Sequence, residues 1–185
     1  PPPPLTLALP LVPALDRGWC KVMSRSVLAN GKWTVMEATT GLADHLPEQS
    51  GLYLFVWRIP FPMPTQRDPA MHFRAVLYVG QAGAQNDTGT LKKRYASEYA
   101  AIISNNANAI WNSDMSSRTS RLSKLLSLRH LEYWYTVTPA REHLLVYENA
   151  LISLFNPPGN IKSSPLSGAG VKPLKATMRQ PVPAF

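Results

Sequence analysis

At 185 residues with 45% apolar content, the chain is long enough to bury one core, so a single domain with irregular ends is expected. Its 19 basic and 11 acidic residues leave a formal charge of +8, no acidic residue follows Glu148, and this balance favours polyanions such as nucleic acid. The single cysteine, Cys20, excludes an intrachain disulfide and a thiolate zinc cluster and fits a reducing, cytoplasmic setting.

No apolar run reaches the roughly 18 residues of a membrane span. The apolar opening at 5–15 is broken by Pro10 and Pro13 and carries no basic leader, so it does not read as an ordinary signal peptide. Residues 1–13 are proline-rich and predict an extended arm. Within 26–36 an Asn30-Gly31 pair lies between β-prone runs, a strong hairpin signal, with Trp33 and Val35 alternating against Thr34. Arm and hairpin together make an amino-terminal segment, 1–47.

The run GLYLFVW at 51–57 predicts a buried strand, and AVLYVG at 75–80 predicts its partner. Between them, 58–74 holds Pro60, Pro62, Pro64 and Pro69 as well as Arg58, Arg67 and Arg74, which predicts an extended loop or hairpin tip. Residues 91–103 suit a helix capped by Thr90, with Leu91, Tyr95 and Ile102 toward the core. After a polar loop at 105–117, a second helix is expected at 118–128, bringing Leu122, Leu125 and Leu126 together, and then an aromatic strand at 131–137. A third helix should begin with Thr138 as N-cap and Pro139 in the first turn, and stop at Asn156-Pro157-Pro158. The pattern predicts an α/β fold, a small, mostly antiparallel sheet flanked by helices, in a core spanning 48–160 and followed by a basic irregular tail, 161–185.

On the third helix, Leu144, Leu145, Leu151, Ile152 and Phe155 form an apolar stripe with Glu148 in its midst. A carboxylate beside an apolar face needs an ion pair, a hydrogen bond or a metal, and a salt bridge at the sheet edge is the ordinary alternative to a ligand role. His45, His72, His130 and His143 show no metal-ligand spacing. The cluster Tyr133, Trp134 and Tyr135 suits strand packing more than base stacking.

Four segments, taken in order, carry a further signal: Gly51-Leu52-Tyr53, Tyr78-Val79-Gly80, Leu91-Lys92-Lys93-Arg94, and Glu148-Asn149-Ala150-Leu151-Ile152 followed by Phe155, Pro157 and Asn160. Over 51–160 the chain resembles the GIY-YIG nuclease superfamily, with likeness to its restriction-enzyme and excision-repair members. The resemblance implies a GIY-YIG-like fold and a metal-dependent endonuclease that hydrolyses DNA. Glu148 would hold Mg2+ (or Mn2+), Arg94 would meet the scissile phosphate, Tyr78 would be the general base with Tyr53 as its partner, and Asn160 would fix the glutamate or a strand backbone.

These roles suit phosphoryl transfer. Magnesium accepts one or two protein carboxylates and keeps its waters, and the arginine fork matches a phosphate better than a lysine does. Arg118 also opens a helix, but beyond a polar loop. The chain departs from the superfamily in a long stretch between Tyr53 and Tyr78, in Gln81 where many members have lysine, and in Glu98 where a tyrosine or histidine is frequent. Arg58, Arg67, Arg74, Lys92, Lys93 and Lys162 are candidate phosphate contacts. A palindrome-cutting restriction enzyme would suit a homodimer. A degenerate module that binds nucleic acid without cutting, and an RNA-cutting or toxin-like nuclease, are the alternatives.

Overall fold

The computed structural model describes residues 6–7, 32–62, 65–66, 71–84, 88–104, 110, 118–138 and 141–160. Its strands are β1 (Thr6–Leu7), β2 (Thr34–Glu37), β3 (Gly51–Arg58), β4 (Phe73–Ala82) and β5 (Leu131–Val137), and its helices are α1 (Leu91–Glu98), α2 (Ala100–Ser104), α3 (Arg118–Leu126) and α4 (Leu144–Phe155). The strands form one sheet in the order β1-β4-β3-β5-β2. The four strands β4, β3, β5 and β2 are antiparallel neighbours, and the two-residue β1 joins β4 in parallel at Phe73 and Arg74. The chain is therefore α/β with a mostly antiparallel sheet, as its pattern predicts. No helix among the described residues is long and apolar enough to cross a membrane.

Alternation along the strands sends side chains to two faces, and both are covered. Tyr53, Phe55, Tyr78 and Tyr133 pack on one face with Leu91, Tyr95, Tyr99 and Leu126. Leu52, Leu54, Val56, Val76, Val79 and Trp134 pack on the other with Leu144, Leu151 and Ile152 of α4. This double burial is why GLYLFVW is apolar at successive positions instead of at every second one. The register slips between Phe55, opposite Tyr78, and Val56, opposite Val76, so Leu77 is the extra residue of a bulge. The bulge turns Leu77 to the same face as Tyr78.

Two expectations are corrected, and one strand is added. The first helix is not continuous over 91–103: α1 ends at Glu98, and Tyr99 sits between it and α2 with its ring turned into the core. Thr90 caps it as expected, its hydroxyl accepting from the Lys93 N–H at 3.2 Å. The third helix begins later than expected: a 3-10 turn at Arg141–His143 precedes α4, which starts at Leu144, and Thr138 is tied to the sheet. Its N–H donates to the Ser50 carbonyl at 3.1 Å, and its own carbonyl accepts from the Ser50 hydroxyl at 2.9 Å. Finally, β2 enters the sheet beside β5. The Asn30-Gly31 turn lies outside the described residues, as do the arm beyond Thr6–Leu7 and the tail from 161.

Candidate active site

The two tripeptides meet because Tyr53 lies directly across from Gly80 in the register. A Cβ on Gly80 would fall 2.4 Å from Cζ and Oη of Tyr53, so only glycine leaves room for that ring. Gly51 answers a second close approach: a Cβ there would lie 2.2 Å from the Thr136 carbonyl oxygen of β5. The glycine of the second tripeptide is thus explained by the Tyr53 ring, and that of the first by the backbone of β5.

Tyr53 is buried, and its hydroxyl meets that of Tyr99 at 2.6 Å. Its ring stacks on Tyr133 at 5.4 Å between centroids and lies 6.3 Å from the Tyr78 ring. Burial pushes the Tyr53 phenol well above its usual value, and the Tyr99 hydrogen bond and the charge of Arg94 oppose it only in part. Burial likewise raises Tyr99, Tyr95 and Tyr133. Burial thus disfavours the Tyr53 phenolate, and its hydroxyl, held by that of Tyr99, is placed to orient its neighbours. The Tyr133 hydroxyl is buried with no hydrogen-bond partner among the described residues.

Tyr78, 8% exposed, is the motif tyrosine that borders a cleft. It lines an open cleft of about 300 Å³ with Glu98, Tyr99, Ile102, Thr119 and Leu122, formed where α1, α2 and α3 approach the sheet. Behind it, Gly159 packs so closely that a Cβ would stand 2.9 Å from Cδ2 of the Tyr78 ring. Arg94, on α1, is close enough for its charge to act on both Tyr53 and Tyr133, and it forms an ion pair with Glu98 one turn on.

Asn160 anchors the strand that carries Tyr78. The Val79 N–H donates to Asn160 Oδ1 at 2.8 Å, and Asn160 Nδ2 donates to the Val79 carbonyl at 2.8 Å. One amide side chain thereby replaces a neighbouring strand at this point of β4. Of the two roles open to this asparagine, the geometry matches the strand backbone.

Glu148 is half-buried on α4, the helix that covers the opposite face of the sheet against β4 and β3. The structure therefore gathers Tyr53, Tyr78 and Arg94 on one face and around one end of α1, fixes the strand of Tyr78 through Asn160, and carries Glu148 on a helix across the sheet. Among the described residues no three His, Cys, Asp or Glu side chains come together. A single hard carboxylate on a rigid, half-buried helix position still suits magnesium, which needs few protein oxygens.

The basic residues divide. Arg74 is corrected as a phosphate contact: it is 5% exposed, and its Nε and Nη2 donate to the two oxygens of Glu132 at 2.9 and 3.2 Å. Glu132 also accepts from Trp134 Nε1 at 2.9 Å and lies 3.8 Å from the more exposed Arg58. Lys92 pairs with Glu48 at 3.2 Å near the surface, and Lys93 is exposed. Arg67 and Lys162, and the side chain of Arg118, lie outside the described residues.

Sequence reasoning underused Tyr99, although its place four residues beyond Tyr95, itself four beyond Leu91, is a helical stripe that continues into the core. It also missed Glu132, whose alternation in β5 puts it on the face of Arg58 and Arg74. No protein-family model matches this chain, and no curated protein matches it.

Proposed function

We propose that this chain is a GIY-YIG-type, divalent-metal-dependent endonuclease that hydrolyses DNA phosphodiester bonds. The observation that carries this reading is the packing of Tyr53 onto Gly80, which joins the first motif to the second, with Tyr78 lining a cleft beside the Arg94-bearing helix.

Each residue has a task suited to phosphoryl transfer, where positioning and charge stabilisation do most of the work. Arg94 grips the non-bridging oxygens of the scissile phosphate through its planar fork. Tyr78 Oη accepts the proton of the attacking water. Tyr53 and Tyr99, sealed beneath it and hydrogen-bonded to each other, hold the aromatic floor in place. Asn160 fixes the strand on which Tyr78 is mounted. Glu148, on the helix across the sheet, would hold magnesium or manganese, an ion that would supply charge stabilisation for a leaving oxygen. The net charge of +8 draws the backbone to the protein.

The pairing of Arg94 with Glu98 favours a second reading, a module that binds nucleic acid without cutting it. Incubation of the purified protein with supercoiled plasmid, in magnesium and in EDTA, separates the two. Nicked or linear product in magnesium alone supports the nuclease; bound but intact plasmid in both supports the module. Cleavage of RNA in place of DNA in parallel reactions would move the substrate to RNA.

A further inference from the structure

Glu98 stands in an unusual place for a carboxylate. It lines the cleft onto which Tyr78 opens, the cleft that on the proposed function receives a phosphodiester, and a fixed negative charge there repels such a ligand. It is also ion-paired with Arg94 Nη1 at a spacing of one helical turn. The pair is part-exposed, with side chains 27% and 42% accessible, so water or a ligand can reach it. Lys92 and Glu48 form a comparable surface pair away from the cleft, which provides an internal control.

We propose that Glu98 is a positioning residue that serves as a displaceable counter-ion for Arg94, holding the guanidinium beside the cleft that Glu98 lines until a phosphate takes the place of the carboxylate. The inference rests on the assignment of Arg94 to a phosphate. Its physical content is a competition. An arginine already satisfied by a carboxylate costs less to leave at a part-buried position than an unpaired one, but each phosphate that binds must give back that pairing. Glu98 therefore weakens the grip on nucleic acid and speeds release, while leaving Arg94 in the geometry in which it will act. Because the exchange replaces one anion by another on the same fork, it acts on affinity, and a residue that only shaped α1 would not show that selectivity.

The test is a double-mutant cycle on DNA binding, measured by fluorescence anisotropy with a labelled 20-base-pair duplex in EDTA, across parent, Glu98→Gln, Arg94→Ala and the double variant. Glu98→Gln is expected to tighten binding about two- to fivefold, the range of a part-exposed ion pair. The gain should vanish in the Arg94→Ala background, and Glu48→Gln should produce a smaller gain that does not depend on Arg94. In magnesium, Glu98→Gln should lower KM for duplex cleavage with little change in kcat. Equal affinity of parent and Glu98→Gln, or an equal gain in the Arg94→Ala background, overturns the proposal, as does a fall in kcat at unchanged KM. If the cycle shows the coupling but the parent does not cut, only the nuclease reading fails. A parent that binds no duplex overturns both.

Discussion

The Asn160 clamp yields the prediction with the least freedom in its magnitude. Asn160 is 3% exposed and satisfies both the N–H and the carbonyl of Val79 at 2.8 Å, so water has no easy access to replace it. Asn160→Ala removes an acceptor and a donor at once and leaves two buried backbone groups unpaired. At about 1–3 kcal/mol for each orphaned group, the loss should be about 2–6 kcal/mol. At about 2–4 °C per kcal/mol for a chain of this size, that corresponds to a fall in Tm of about 4–24 °C. Asn160→Asp is the informative companion: it keeps the acceptor for the Val79 N–H but sets a second oxygen against the Val79 carbonyl. It should therefore be destabilised at neutral pH and partly recover as the carboxyl protonates in acid. Thermal unfolding with amide exchange at Val79 reads both effects. If Asn160→Ala unfolds within 1 °C of the parent, or if exchange at Val79 is unchanged, the clamp contributes nothing and its role in holding the Tyr78 strand is wrong.

Arg94→Ala should slow single-turnover cleavage by about 10²–10³-fold while weakening binding modestly, and Arg94→Lys should recover little because a point charge lacks the fork. Parent-like turnover in Arg94→Ala would remove this arginine from the chemistry. Arg74→Ala should destabilise by about 3–5 kcal/mol in urea titrations, because it strands Glu132, whereas Arg58→Ala should cost well under that. Equal costs would show that the buried pair is not formed. Alkaline pH should unfold the protein cooperatively. Tyr53, Tyr95, Tyr99 and Tyr133 all have raised folded-state values, so the folded chain holds protons that the unfolded chain releases near pH 10. Their stabilising contribution is complete below about pH 10 and declines above it, by about 1.4 kcal/mol per pH unit for each tyrosine, or about 5 kcal/mol for all of them. A stability flat from pH 8 to pH 12 would contradict the burial of these phenols.

The strands were legible because their signal is local: GLYLFVW and LEYWYTV are β-prone runs with both faces buried, and nothing else fits such sequences. The Thr90 cap was legible for the same reason, since a hydroxyl three residues before Lys93 N–H needs only local geometry. Misreadings came where a distant partner decided the matter. Thr138 has the composition of an N-cap, but Ser50, 88 residues away, binds its backbone N–H and carbonyl, and α4 starts only at Leu144. Arg74 sits in a proline- and arginine-rich stretch that suggests solvent, yet a carboxylate on β5 draws it inward. Tyr99 breaks the helix that the periodicity predicts because its hydroxyl is drawn to that of Tyr53 on the sheet. Of the candidate site, the motif residues were visible in the sequence, but their mutual packing, such as the seat that Gly80 gives Tyr53, depends on strand register and could not be read from spacing.

The measurement that bears most directly on the proposed chemistry compares Glu148→Gln with the parent in single-turnover cleavage of a DNA duplex in magnesium, alongside thermal unfolding and duplex binding in EDTA. Glu148 is half-buried on α4, so its neutral isostere should fold like the parent. Binding should persist or tighten, since a negative charge is removed from the neighbourhood of a phosphate. Cleavage should disappear. A variant that folds, binds and still cuts at the parent rate would show that Glu148 holds no catalytic metal, and the proposed nuclease site would have to be abandoned.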